Sequence, residues 1–216
     1  ARNTVIVAAG RIRHERVVRT AARYAARFGA PTSPRFSPAR EDQREARVRL
    51  VTRQTEQTQV ALGTRTCSRR DERRHALRLL NTILGENTCS RLFQLLREDL
   101  GLAYSIYSTP SFFGDTGDLV IYAGLDTVNV AKALRLILRE LRVLRNSRPG
   151  AAELRRARDY VIGQIELGLE STESQMNWLG EQLLGYGRIL PPAEVKRRLS
   201  KVTADDIRAV AQDVFQ

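Results

Sequence analysis

Residues 84–108 read Leu-Gly-Glu-Asn-Thr-Cys-Ser-Arg-Leu-Phe-Gln-Leu-Leu-Arg-Glu-Asp-Leu-Gly-Leu-Ala-Tyr-Ser-Ile-Tyr-Ser, and the architecture can be read outward from them. Gly85 breaks the helix before it, and Glu86, Asn87, Thr88 and Cys89 make a loop. Ser90 stands where its hydroxyl can cap a shorter helix running through Arg97. Gly101 ends that helix. Residues 103–109 and 118–124, rich in Tyr, Ile, Val and Leu, read as strands. The turn-rich Phe112-Phe113-Gly114-Asp115-Thr116-Gly117 joins them as a hairpin.

On the N-terminal side, Ser68 or Asp71 opens a helix carrying Ala76, Leu79, Leu80 and Ile83. Before it, 48–52 and 58–63 read as two strands. Residues 4–9 form an apolar run ending at Gly10, the pattern of a buried strand. Residues 13–28 place Val17, Ala21, Tyr24 or Ala25, and Phe28 on one helical face closed by Gly29. Between them and 48–52, Pro31, Pro34 and Pro38 interrupt a polar stretch. Proline fixes its own φ and disfavours helix just before it, so 30–47 reads as a linker and the main domain boundary.

On the C-terminal side the pattern is helical. Asp126 caps a helix with Val130, Leu134, Ile137, Leu141 and Leu144 on one face. Pro149-Gly150 resets the chain before a long helix marked by Leu154, Ala157, Val161, Ile165 and Leu169. Met176, Leu179 and Leu183 mark another, ending near Gly187. Pro192 opens a short helix, and Thr203 with Asp206 forms a capping-box pair for the last one. Early strands, late helices and hairpin connections predict an α+β fold, a largely antiparallel sheet with helices on one face.

Composition narrows the function classes. The 216 residues are 42% hydrophobic and 28% charged, which suits a globular core and excludes wholesale disorder or a disulfide scaffold. No apolar run reaches the ~18 residues that span a bilayer. The chain opens on Ala1 and enters an apolar run almost at once, as expected of a piece of a longer polypeptide. Cys67 and Cys89 read as two small, partly buried apolar side chains. The net charge is +12, and 33 of the 36 basic residues are Arg. They are spread along the chain with few aromatics between them, which argues against a specific nucleic-acid face. A basic surface still attracts acidic peptides or anionic membranes at low salt. His14 and His75 are the only histidines, and neither lies in an H-x-x-E-H or H-E-x-x-H setting.

The central segment closely resembles the LG…SRLF…RE-x-x-GLAYS signature of the pitrilysin/insulinase family of zinc peptidases, inverzincins that include the mitochondrial processing peptidase and many bacterial proteins. Weaker matches follow in order at Gln57, Asp115-Thr116-Gly117, Glu153-Leu154 and Val202-Thr203-Ala204-Asp205-Asp206. The resemblance implies a two-layer sandwich of the mitochondrial processing peptidase/LuxS-like metallohydrolase type, with a mixed, largely antiparallel sheet. It implies two similar halves facing each other across a peptide-binding chamber. One half holds H-x-x-E-H and zinc. The other holds no metal and contributes an Arg and a Tyr to substrate binding.

Arg97 and Tyr104 match that pair, so the chain is identified with the non-catalytic C-terminal half, inactive alone. The resemblance assigns no catalytic and no metal-binding residue to it. Residues 1–29 become the closing strand and helix of the upstream zinc-binding half, 30–47 the linker, and 48–216 the non-catalytic domain. The expected partners are an N-terminal zinc-binding half or catalytic subunit, extended peptide substrates and, as a further arrangement, a second copy of the chain. Strand 4–9 is expected to dock on the vacated sheet edge, in its own or a neighbouring molecule, because an exposed apolar edge invites aggregation. The other role such a domain takes is that of an inactive structural subunit.

Overall fold

The computed structural model describes residues 4–26, 36–40 and 42–216. Three strands build one sheet: β1 (Thr58–Thr66), β2 (Ala103–Phe112) and β3 (Gly117–Leu125), in the order β1-β3-β2. Both pairings are antiparallel, with Ala61 opposite Tyr122 and Tyr122 opposite Tyr107. The sheet is therefore wholly antiparallel, and the predicted hairpin is its β2–β3 half. Its helices are α1 (His14–Ala25), α2 (Arg74–Asn81), α3 (Val130–Asn146), α4 (Ala151–Gly168), α5 (Thr172–Tyr186), α6 (Pro192–Lys201) and α7 (Ala204–Val214).

The chain folds as two compact units. One comprises Ala39–Val161 with Arg198–Gln216 and holds the sheet. Its core sets Leu119, Ile121, Ala123 and Leu125 of β3 with Leu77, Leu80 and Leu84 and with Ile207, Val210 and Ala211 of α7. One face of the sheet is the more buried, with burial alternating residue by residue along β1. α2 and α7 pack together, and α7 also reaches β1. Arg91 clamps this unit from the side. Its Nε and Nη2 donate to Oε1 and Oε2 of Glu153, both at 2.7 Å, with Glu140 at 3.8 Å.

The other unit comprises Ala1–Pro38 with Ile162–Arg197. Within it, Ser171 Oγ caps α5 by accepting from Ser174 N at 3.0 Å, and Gly187 ends the helix at φ +68°. Lys196 ties α6 to Glu166 of α4 at 2.6 Å.

Several expectations need correction. Residues 4–9 alternate in burial but belong to no strand. Val7 instead lies against α5, 3.3 Å from where a Cβ on Gly180 would stand. Among the described residues, 4–9 pairs with neither edge strand of this chain's own sheet, β1 or β2. Residues 48–52 likewise form no strand: Val48 is 94% and Leu50 87% exposed. A strand needs a ladder partner, and the described residues supply none there. Gly29 and the first prolines of the linker lie outside the described residues.

Gly85 does not break a helix. α2 runs on as a π-helical segment, Thr82–Glu86. The glycine serves close packing instead, since a Cβ there would lie 2.6 Å from Ser108 Oγ and 3.0 Å from Ser108 N. Ser90 Oγ does not cap the next helix either. It donates to Asn87 O at 2.6 Å, fixing the turn before that helix.

Candidate functional site

Arg97 lies on a second π-helical segment, Phe93–Asp99. Leu92 and Leu96 point into the core and leave Arg97 exposed. The helix stops where Gly101 takes φ +57°, a conformation that glycine adopts without strain. Leu102 N then reaches back to Leu96 O at 2.8 Å, and both leucines are buried. This closure turns the chain directly into β2 and sets Tyr104 at its second residue.

Two local features shape these side chains. The Arg97 guanidinium carbon sits 5.0 Å from the centroid of the Phe93 ring, a cation–π contact one turn back. Among the described residues Arg97 makes no hydrogen bond or ion pair, so its donors are open. Tyr104 occupies a β-bulge, where the register against β3 slips between Ala103 and Ser105. Ala103 and Ile106 are buried, while Tyr104 and Ser105 between them are both exposed. A bulge re-aims a side chain in this way, putting two successive residues on the solvent side.

The structure leaves the expected pair, Arg97 and Tyr104, both exposed, and adds two features the sequence reading did not include, the Phe93 contact and the bulge. The signal for the bulge was present, because buried Ala103 and Ile106 stand three apart where strict alternation demands two. Further along the exposed face, Tyr107 stacks on Tyr122 with ring centroids 5.1 Å apart.

Beneath the Leu84-Gly85 step lies a polar anchor. Glu86 Oε1 accepts from Arg78 Nη2 at 2.5 Å, and its Oε2 accepts from Thr82 Oγ1 at 2.6 Å. Asn81 Oδ1 accepts from Ser108 Oγ of β2 at 2.7 Å, within the core. These contacts fix the π-helical segment against the strand that carries Tyr104.

Among the described residues no three His, Cys, Asp or Glu side chains group as ligands. His75 is buried on α2, with Nε2 4.0 Å from Glu72, and His14 is exposed on α1. Burial pushes the Cys67 thiol above its usual range, away from the thiolate a metal needs. Zinc does not fit these residues.

Residues 1–161 match the family model described as the peptidase M16 inactive domain. An uncharacterized zinc protease of Streptomyces coelicolor is 40% identical over 98% of this chain and 47% of its own length. One from Mycobacterium tuberculosis is 36% identical over 98% of this chain and 49% of its own. The chain thus spans about half the length of the curated relatives it matches. A protease from Helicobacter pylori shares the fold at a TM-score of 0.86 and 19% identity, over 96% of this chain and 51% of that one. A peptidase M16 inactive domain from Pseudomonas fluorescens follows at 0.66 and 23%, over 74% and 38%.

Proposed function

This chain belongs to peptidase family M16 and matches its inactive domain, and on that premise we propose that it is the substrate-binding, metal-free half of a zinc endopeptidase. Zinc and the base that activates water belong, in this reading, to an opposite half that closes a peptide chamber. Residues 1–29 are then the end of that zinc-binding half, and 30–47 the linker between the two.

The observation that carries the reading is the pair itself. An exposed Arg97 with open donors and an exposed Tyr104 on a bulge are joined by one tight turn. An arginine presents a planar fork of donors suited to substrate carbonyls. A tyrosine hydroxyl can donate to the carbonyl oxygen as it becomes anionic under attack by water. Its contribution is greatest in that state, because the donor is fixed beforehand and needs no reorganisation. The dipole at a helix C-terminus also favours a cation, but that alone requires no tyrosine seven residues on.

In the complete protein, Tyr104→Phe should lower kcat/KM by about 10²-fold, the loss typical of one such donor. Arg97→Ala should lower it as well. Zinc content, measured by metal analysis, should stay at the wild-type level in both. Wild-type kinetics in both variants would remove the assigned roles.

A further inference from the structure

We infer that the stacked pair Tyr107 and Tyr122 is a subsite for a large apolar or aromatic side chain of the bound peptide, an inference that rests on the peptide-binding reading above. The two residues face each other across β2 and β3, with rings 5.1 Å apart and inclined by 23°. They remain 48% and 38% exposed, on the same open face of the sheet as Tyr104, which is 60% exposed. Neither hydroxyl is hydrogen-bonded among the described residues. The β1 side of Tyr122 is also uncovered, because its neighbour across that pairing is Ala61 and the next exposed position on β1 is Gly63. A peptide held at Tyr104 and extending along β2 passes over this pair.

The neighbouring rows decide the chemistry. One row holds Gln59, Gly124 and Ser105, and the other Gly63, Val120 and Thr109. Neither row carries a formal charge. An ionised substrate side chain laid here would lose hydration with no partner in return. A cation could be drawn to the ring faces, but Arg97 and the net charge of +12 oppose it. An apolar or aromatic side chain instead gains area against two rings that are already mutually fixed, so little ordering is needed on binding.

The test uses the complete protein, with its zinc-binding half, and a peptide series in which a single position is Phe, Leu, Ala, Lys or Asp. One position in the series should favour Phe and Leu over Ala, Lys and Asp. The double variant Tyr107→Thr/Tyr122→Thr keeps strand-favouring residues in both places. It should raise KM for the Phe peptide about fivefold, the scale of one aromatic contact, and leave the Ala peptide within about twofold. Competition by a non-cleavable Phe peptide should weaken in parallel.

Equal losses for every peptide would mean that the stack is structural, and would overturn the subsite. Unchanged discrimination in the variant would overturn it too. The underlying reading is tested separately: Arg97→Ala and Tyr104→Phe should slow every peptide alike without shifting the preference. Failure of the complete protein to bind or cut any peptide would remove both inferences together.

Discussion

Fixing a long cationic side chain in place costs rotamer freedom, and among the described residues Arg97 has no carboxylate to hold it. The Phe93 ring supplies the constraint instead, while leaving every N–H free for a ligand. A carboxylate partner would orient the guanidinium more strongly but would occupy the donors that substrate carbonyls need. On the proposed peptide-binding reading, Phe93 is a positioning residue, acting through Arg97. Phe93→Leu should keep the apolar packing and lose the ring face, lowering kcat/KM about three- to fivefold, the scale of an exposed cation–π contact. Phe93→Trp should restore most of the loss. Steady-state kinetics on the complete protein decides, and a Leu variant equal to wild type would mean that Arg97 is placed by other means. Tyr104 shows the complementary device, in which the backbone itself positions the side chain through the bulge.

At the level of elements, the local signals were the legible ones. Thr203 and Asp206 announced their capping box, and the structure closes it with Asp206 N on Thr203 Oγ1 at 3.1 Å and Thr203 N on Asp206 Oδ2 at 2.8 Å. The hairpin and Gly101 were equally readable, because each depends on neighbours within a few residues, whereas Asp126 caps the 3-10 turn Thr127–Asn129 that precedes α3 and not α3 itself. The two π-helical segments were not. In the first, Glu86 gathers Arg78 and Thr82 while Gly85 presses on Ser108 of β2, a close approach that no local propensity encodes. Residues 48–52 failed for the same reason in reverse, having strand-like side chains without a partner edge.

Two predictions belong at this scale. Gly85→Ala should destabilise the fold by about 3 kcal/mol, since the contact includes backbone at 3.0 Å, which cannot swing away. Chemical denaturation reads this directly, and a loss below about 1 kcal/mol would deny that the close approach is needed. The second concerns the Arg91–Glu153 clamp. Burial is the largest single effect and raises the Glu153 carboxyl, but the hydrogen bonds and charge of Arg91, the Gly150 backbone and Arg156 together outweigh it and hold Glu153 below its usual 4.5. A group depressed in the folded state stabilises above its unfolded value, and that stability is lost as pH falls through the folded one. Glu153→Gln should thus cost about 2 kcal/mol at pH 7, and the gap to wild type should close as the pH is lowered below 4.5. A gap independent of pH would show that the carboxylate charge contributes nothing.

For the molecule as a whole, the distribution of ligating groups decides what the chain does alone. Its two histidines fall in different compact units, His14 in the one with Ala1–Pro38 and His75 in the one with Ala39–Val161. A catalytic zinc needs three protein ligands and an open position, and each ligand must give up its proton to bind. Cys67 resists this through burial, and Cys89 is exposed with no metal-binding group around it among the described residues. The purified chain, stripped with a chelator and dialysed against zinc, should therefore retain well under one equivalent and cut no peptide. Mixed with the zinc-binding half, it should support hydrolysis that a chelator abolishes and added zinc restores. Chelator-sensitive activity in the chain alone would refute the division of labour between halves. A well-formed complex that holds zinc and still cuts nothing would instead identify the chain as a structural subunit, with Arg97 and Tyr104 left over from a working relative.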